Sequence, residues 1–320
     1  MLFSPSLVTT NRKNGMACNR SIDMIGYPMD LGAGRRGVDM GPTALRIAGI
    51  QEKLECLGYS VNDLGDICIH SRQDLKISDP RLKYVDEIAT AAQILADQVE
   101  KSLAQDHFPL CLGGDHGVAI GSIAGVSAFC RKNGRTPGVI WIDAHADMNT
   151  EKTTPSGNIH GMALAIALGL GDPRLTHLNG YAPKIQPEHS ALIGIRKIDR
   201  LEKQTLKNRR LPVYTMSDID RKGIDFIIGN ILKNLKAHVD HIHVSFDVDS
   251  VDPLIAPGVG TPVSGGLTYR EIHLLMETIA ECGCMSSMDV AEVNPILDNR
   301  NTSAKLAADI VASSMGMRIL

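Results

Sequence analysis

Short β-branched runs alternate with longer amphipathic segments along most of the chain, and this alternation predicts strands and helices in turn. Eight strands are predicted, at residues 21–25, 59–64, 108–112, 138–142, 191–195, 213–215, 241–246 and 285–290. Several of these runs are apolar throughout, which is typical of parallel strands that are buried on both faces. We therefore expect an α/β fold in which helices cover both faces of a parallel sheet.

Proline and glycine mark where the predicted helices begin and end. Gly41, Pro42 and Thr43 open a helix that we expect to run through Leu57, with Pro42 in the first turn, where its missing N–H is not needed. Gly58 follows in the position where helices commonly stop. Further helices are predicted at residues 84–104 and from the segment after residue 116 to residue 130.

No internal repeat or low-complexity linker divides the chain, so we assign residues 22–320 to a single domain. Residues 1–21 are polar, carry Lys and Arg, and lack an apolar period. We interpret them as a flexible N-terminal extension. A weak transit peptide is the alternative, and Met16 is an alternative start.

Composition and charge narrow the function classes. Hydrophobic residues make up 43% and charged residues 22% of the chain, as in a soluble enzyme. The net charge of −3 offers no basic excess for nucleic acid or an anionic membrane, and no apolar run reaches the ~18 residues of a membrane span. The seven cysteines include no CxxC pair, and we expect reduced, mostly buried thiols in a cytoplasmic protein.

Four carboxylates and two imidazoles follow three of the predicted strands. They are His116, Asp143, His145, Asp147, Asp247 and Asp249. Within the Asp-x-His-x-Asp and Asp-x-Asp segments, the period of two in extended chain lets the side chains project to one side. Because ligands bind at the carboxyl ends of parallel strands, we expect all six side chains to meet there.

Such a cluster predicts a metal site. Carboxylates gathered without cations would repel one another and take up protons, and these segments contain no Lys or Arg. Mixed carboxylate and imidazole donors suit Mn²⁺ or another borderline-hard ion, and shared carboxylates suit two ions about 3.5–4 Å apart. An isolated Asp-x-Asp is typical of a turn, and an isolated strand-end His is typically structural, so the prediction depends on the combination.

Three ordered segments resemble the signatures of the ureohydrolase family, which contains arginases, agmatinases, formiminoglutamases and guanidinobutyrases. They are Leu-Gly-Gly-Asp-His at 112–116, Asp-Ala-His-Ala-Asp at 143–147 and Ser-Phe-Asp-Val-Asp-Ser-Val-Asp-Pro at 245–253. The resemblance extends from about residue 23 to the C-terminus. It implies a three-layer α/β/α fold with a mostly parallel sheet and two Mn²⁺ ions at the C-terminal edge of the strands. The implied ligands are His116 and Asp147 for one ion, His145 and Asp249 for the other, and Asp143 and Asp247 for both.

Further segments resemble the arginase branch, bacterial members above all. The implied substrate contacts are Asn149, Ser156, Asn158, Asp199, Glu202 and Thr261. The first three would hold the α-carboxylate of L-arginine, since amide and hydroxyl groups can donate to it directly or through water. Asp199 and Glu202 match the segment that contacts the α-amino group, although Lys197 stands where many members have an acid. An ordinary Ser/Gly/Asn turn at 156–161 and a plain turn at Thr261 are the alternatives.

The resemblance implies hydrolysis of L-arginine to L-ornithine and urea by a hydroxide that bridges two manganese ions. Glu292 would pair with the guanidinium, whose planar fork matches a carboxylate. Asp147 would relay a proton to the leaving nitrogen, and His160 would shuttle protons to solvent. The resemblance also implies a homo-oligomer, a hexamer rather than a trimer.

Three alternatives stay open at this point. Gly32-Ala-Gly34-Arg-Arg-Gly37 fits the dinucleotide pattern GxGxxG, but its glycines lie several residues past the strand and the next helix begins only near residue 42. A sibling ureohydrolase that acts on agmatine or another guanidino compound is the second. A non-enzymatic member, the third alternative, would require a broken ligand set, and none of the six ligands is missing.

His243 shares a strand face with Asp247 and lies deeper in the strand. It is predicted to be a core residue or a support for the metal ligands.

Overall fold

One parallel sheet organises the chain. The computed structural model describes residues 20–318, in which eight strands lie in the order β2-β1-β3-β8-β7-β4-β5-β6 with every neighbouring pair parallel. The strands are β1 Ser21–Tyr27, β2 Ser60–Asp66, β3 Phe108–Gly113, β4 Pro137–Ile142, β5 Ser190–Ile195, β6 Val213–Thr215, β7 His241–Asp247 and β8 Met285–Ala291. Each predicted strand is present, with bounds that shift by one or two residues.

Helices cover both faces of this sheet. They are α1 Gly41–Ile47, α2 Ile50–Cys56, α3 Val85–Ala104, α4 Val118–Lys132, α5 Ala163–Ala167, α6 Pro173–Thr176, α7 Arg200–Arg209, α8 Met216–Lys222, α9 Ile224–His238, α10 Tyr269–Cys282 and α11 Thr302–Ser314. Strand β4 shows how the layers form: Val139 and Trp141 belong to one apolar core with α3 and α4, whereas Ile140 and Ile142 belong to the other with α9 and α10. The predicted three-layer α/β/α fold is confirmed.

The single helix predicted from residue 41 to Leu57 is wrong. The chain forms α1 and α2 there, separated by Ala48 and Gly49. Gly49 has φ +79°, in the left-handed region that interrupts a right-handed helix. In the sequence, the apolar residues Ile47, Ile50 and Leu54 keep a helical spacing across the break. For this reason the hydrophobic pattern alone did not reveal that the helix is interrupted.

The cysteine prediction is also wrong in part. Cys111 and Cys130 are buried free thiols, but Cys56 and Cys68 are exposed. Cys282 and Cys284 form a disulfide across the turn from α10 into β8. Gly283, between them, has φ +59° and turns the chain so that the two side chains meet. Cys18 lies outside the described residues.

The N-terminal prediction falls almost entirely outside the described range, which begins at residue 20, and Ser21 is already the first residue of β1. Within residues 20–318, no helix combines the length and the apolar character that crossing a membrane requires.

Helices α3 and α4 pack unusually closely because α4 presents two glycines to α3. A Cβ on Gly121 would lie 2.8 Å from the carbonyl oxygen of Ala92. A Cβ on Gly125 would overlap the carbonyl oxygen of Ala96. Since α4 begins just after His116, this packing fixes the helix that follows a predicted metal ligand.

We expect Gly125→Ala to lower the free energy of unfolding by ~1–3 kcal/mol, because the added methyl group meets backbone that cannot move aside. The matched control is Gly229→Ala in α9, where a Cβ meets nothing within 4 Å. That variant should gain ~0.5–1 kcal/mol from helix propensity alone. Urea unfolding of both variants measures the difference, and equal stabilisation of the two would contradict the packing argument.

Candidate metal and substrate site

The topology gathers the polar segments at one edge of the sheet. Strands β3, β8, β7 and β4 are neighbours in that order, and all run in the same direction. His116 follows β3, Glu292 follows β8, Asp247 ends β7 and Asp143 follows β4. Sequence separations of more than a hundred residues therefore become contacts at the carboxyl edge, as predicted.

The six predicted metal ligands form one cluster, which is buried except for His145, whose side chain is 24% exposed. His116 Nδ1 lies 3.1 Å from Asp143 Oδ2, 3.3 Å from Asp147 Oδ2 and 3.1 Å from Asp247 Oδ2. His145 Nδ1 lies 3.4 Å from Asp143 Oδ1 and 3.1 Å from Asp249 Oδ2.

The donors of this cluster separate into two groups, His116 with Asp143 and Asp247, and His145 with Asp143 and Asp249, that could each hold a metal ion. Asp143 turns one oxygen toward each group. The arrangement has the form expected of a shared carboxylate between two cation positions.

Electrostatics favour cations at this cluster. Burial first, and then the charge of Asp143, raises the pKa of both Asp147 and Asp249. For Asp143 itself, burial acts to raise the pKa, but the contacts with His116 and His145 outweigh it and lower the pKa. His116 Nδ1 is buried and has no hydrogen-bond partner among the described residues. An imidazole nitrogen buried 3.1–3.3 Å from three carboxylate oxygens, with no contact of hydrogen-bond geometry to any of them, fits a divalent cation.

The backbone is bent to aim these ligands. Asp143 Oδ1 accepts a hydrogen bond of 2.7 Å from the N–H of His145, and Asp247 Oδ1 accepts one of 2.7 Å from the N–H of Asp249. Both segments therefore use the same kind of Asx turn. It orients His145 relative to Asp143, and Asp249 relative to Asp247. Asp147 has φ +48°, a left-handed conformation that is rare for a residue with a side chain.

Glu292 sits beside the cluster with one free oxygen. Its Oε1 accepts from the N–H of His116 at 3.0 Å and lies 2.9 Å from His160 Nδ1. Its Oε2 is buried and has no hydrogen-bond partner within the described part of the chain. A Cβ on Gly260 would overlap that oxygen, so the glycine leaves it room. Glu292, too, is left-handed, with φ +68°.

His160 is held among acidic groups. Burial acts to lower its pKa, but the charges of Glu292, Asp115 and Asp147 outweigh burial and raise the pKa to about 9. A protonated imidazole next to Glu292 is consistent with a group that carries protons at this site.

A single cavity joins the cluster to the predicted substrate residues. Asn149, Ser156, Asn158, Asp199, Glu202 and Thr261 all line it, together with His145, Asp147, Asp247 and His160. The cavity thus brings together these six predicted substrate contacts, whereas Glu292, predicted to pair with the guanidinium, is buried beside the cluster and is not among the residues that line the cavity.

Residues 20–316 match the family described as the arginase family. An arginase from Bacillus caldovelox is 49% identical over 302 residues, which are 94% of this chain and all of that protein. The structure of the Bacillus caldovelox arginase superposes with a TM-score of 0.91 at 48% identity, covering 94% of this chain and 100% of that one. An Entamoeba histolytica arginase in complex with L-ornithine gives a TM-score of 0.85 at 32% identity, covering 93% and 99%. The chain belongs to the arginase family. The predicted resemblance to arginases, bacterial ones included, is confirmed.

Two of the residues that line the cavity, Glu202 and Thr261, also have hydrogen-bond partners within this arginase-family protein. Glu202 is 4% exposed, and its two oxygens accept from the N–H groups of Met148, at 2.8 Å, and Asp199, at 3.1 Å. It therefore ties the start of α7 to the segment that carries predicted metal ligands. Thr261 donates to Asp249 Oδ2 at 2.8 Å and so braces a predicted ligand.

A buried chain of hydrogen bonds behind His116 was only partly foreseen. His116 Nε2 lies 2.9 Å from Ser245 Oγ, which donates to Asp289 Oδ1 at 2.6 Å. Asp289 Oδ2 lies 2.8 Å from His243 Nε2, whose Nδ1 lies 2.9 Å from Ser287 Oγ. Because the Ser245 hydroxyl donates to Asp289, it accepts from His116 Nε2, which leaves the Nδ1 lone pair facing the carboxylates.

The alternation of side chains along β7 and β8 was the available sequence signal for these hydrogen bonds. It could not identify which side chain bonds to which. The same limit applies to Arg196. Its guanidinium donates to the carbonyl oxygens of Asp249 at 2.8 Å and Ser250 at 3.0 Å, and also to Val263. This cation holds the loop that carries a predicted ligand. Arg196 lies in the segment whose resemblance implied substrate contacts for Asp199 and Glu202, but that resemblance gave Arg196 no role.

The glycine-rich segment serves the same site. The N–H of Gly32 donates to Asp115 Oδ2 at 2.8 Å, and the N–H of His160 donates to the carbonyl oxygen of Gly32 at 3.3 Å. A Cβ on Gly32 would lie 2.9 Å from that Asp115 oxygen. Burial raises the pKa of Asp115 to about 7. The glycine allows the loop to approach Asp115 and support His160.

We expect Ser245→Ala to weaken the affinity for Mn²⁺ by roughly 10-fold, because the Nε2 proton of His116 loses its acceptor. Equilibrium metal titration measures the change. The matched control is Ser287→Ala, which interrupts the same chain at His243 without touching His116 and should change affinity much less. An unaltered affinity in Ser245→Ala, with melting behaviour like the parent, would show that the chain does not tune the ligand.

Proposed function

We propose that this chain hydrolyses L-arginine to L-ornithine and urea. The observation that carries the proposal is the unpaired, buried Oε2 of Glu292 beside a complete cluster of six metal donors. A buried carboxylate with an oxygen that has no partner suits a guanidinium, whose N–H groups only donate. Membership of the arginase family supports the same reaction.

We further propose that the cluster holds two Mn²⁺ ions. His116 and Asp147 would hold one ion, His145 and Asp249 the other, and Asp143 and Asp247 both, in agreement with the oxygen that Asp143 turns toward each group. When bound, such ions offset the carboxylate charge and lower the pKa of water enough to supply a nucleophile near neutral pH.

The remaining chemistry falls to the protein. Glu292 orients the guanidinium while its other oxygen stays fixed by the N–H of His116. Water adds to the guanidinium carbon, and the bond from that carbon to the chain nitrogen breaks. Asp147, which lines the cavity, passes the proton to this leaving nitrogen. His160, which lines the cavity, exchanges protons with the solvent that enters it.

The far end of the cavity supports an amino acid as substrate. Asn149, Ser156 and Asn158 supply amide and hydroxyl groups that can donate to an α-carboxylate, and Asp199 can accept from an α-amino group. The Entamoeba histolytica arginase, which binds the amino acid L-ornithine, is consistent with such a site. Agmatine, which lacks the carboxylate, is the second candidate substrate.

We expect protein loaded with Mn²⁺ to release urea mainly from L-arginine when L-arginine, agmatine and 4-guanidinobutyrate are compared side by side. A chelated sample should be inactive, because the carboxylates would then lack their cations. Preference for agmatine would retain the metal chemistry and refute the carboxylate pocket.

A variant locates the activity within this site. Glu292→Gln should reduce kcat/KM for L-arginine by roughly 100-fold through loss of the charge-assisted contact with the guanidinium. Its metal content should not change, since Glu292 is not among the proposed ligands. Full activity in Glu292→Gln would move the guanidinium site elsewhere.

We also propose that the chain forms a homo-oligomer, a hexamer rather than a trimer. The support is the family resemblance alone. Sedimentation equilibrium gives the mass directly: six times 34.5 kDa is expected, and a monomer would refute the proposal.

A further inference from the structure

A lysine outside every recognised motif reaches into the substrate loop. Lys83 lies just before α3 and is half-buried. Its Nζ donates to Asn158 Oδ1 at 3.1 Å, across 75 residues of sequence. Its backbone N–H donates to the carbonyl oxygen of Gly157 at 3.1 Å. Side chain and backbone of one residue thus hold two successive residues of the loop that we propose binds the α-carboxylate.

The segment around Lys83 supports the rest of that loop. Arg81 Nη1 donates to the carbonyl oxygen of Glu151 at 3.2 Å. Gly157 has φ +73°, and a Cβ there would overlap the carbonyl oxygen of Pro80. Backbone packs directly on backbone at this point, so the position of Lys83 relative to Asn158 is set by the fold rather than by a flexible side chain alone.

The contact decides which way the Asn158 amide faces. The amide group of an asparagine has one accepting oxygen and one donating nitrogen, which lie in one plane on opposite sides of the Cβ–Cγ axis. An ammonium group only donates, so it holds Oδ1 on the Lys83 side and turns Nδ2 away from Lys83. A carboxylate only accepts, so it requires Nδ2. If the amide were reversed, the oxygen would repel the substrate carboxylate.

Charge acts in the same sense. The cavity is lined by carboxylates, among them Asp147, Asp199 and Asp247, and Lys197 is the one Lys or Arg among the described residues that line it. Lys83, one layer behind Asn158, adds a second positive charge near the position where the substrate would bring a negative one. At partly buried sites, such a charge retains much of its effect.

We propose that Lys83 is a positioning residue that selects substrates with an α-carboxylate by fixing the donor group of Asn158. The inference rests on the proposed function, because it requires Asn158 to contact the carboxylate. It extends that function by assigning the preference for an amino acid over a decarboxylated amine to a residue outside the cavity wall.

The test compares Lys83→Met, Lys83→Arg and Asn158→Ala with the parent, all loaded with Mn²⁺ and checked for metal content and melting midpoint. We expect Lys83→Met to raise the KM for L-arginine about tenfold, with kcat changed less than about twofold. The inhibition constant of agmatine should not change, because agmatine has no α-carboxylate for Asn158 to bind. Lys83→Arg should recover most of the affinity, since a guanidinium also donates. The control Lys76→Met removes an exposed lysine from the same stretch and should resemble the parent.

Each contrary result has a separate meaning. If Asn158→Ala raises the KM for L-arginine and Lys83→Met does not, the inference is overturned and the proposed function stands. If Lys83→Met weakens L-arginine and agmatine equally, Lys83 supports the loop in general and the specificity role is overturned. If neither variant alters KM while the parent still releases urea from L-arginine, the carboxylate pocket lies elsewhere, and both the pocket and the inference are overturned.

Discussion

Repulsion among buried carboxylates is the constraint around which this protein is built. The parallel sheet ends four strands at one edge, and the residues that follow them bring Asp143, Asp147, Asp247 and Asp249 within reach of two imidazoles. Two like charges about 4 Å apart repel by about 4 kcal/mol at an effective dielectric constant near 20. The fold must hold this cluster together until cations offset it, and the surrounding structure does so in several independent ways.

Those supports come from every layer around the site. Asx turns fix neighbouring ligands relative to each other, the hydrogen bonds from Ser245 to Asp289 orient His116 from behind, and Arg196 holds the loop of Asp249. The close α3–α4 packing fixes the helix after His116. Each support acts on backbone or on a buried side chain, so none depends on solvent-exposed contacts.

The sequence predicted that the six His and Asp side chains meet at one edge of the sheet, because the signals for this are local. The strands that lead into Asp143 and Asp247 place these residues at one edge, where parallel topology brings the strand ends together. The period of two expected of extended chain does not aim them, because Asx turns and the left-handed Asp147 bend these segments. The supports escaped prediction because their partners are distant: His116 and Ser245 meet across 129 residues, and Lys83 and Asn158 across 75. The break at Gly49 escaped for a different reason, since one residue in a left-handed conformation does not disturb the hydrophobic pattern. The GxGxxG segment shows the converse, because glycines that permit close approach to Asp115 form the same pattern as glycines that cradle a phosphate.

The two left-handed residues of the site, Asp147 and Glu292, have a consequence for how this protein can be improved. Each holds a conformation that typically disfavours the folded state by ~1–3 kcal/mol for a residue other than glycine. Substitution by glycine would relieve that burden and remove the carboxylate, so selection for thermal stability alone would favour variants that have lost their chemistry. Activity and robustness are therefore opposed at these two positions, and stabilising changes must be sought away from the edge of the sheet.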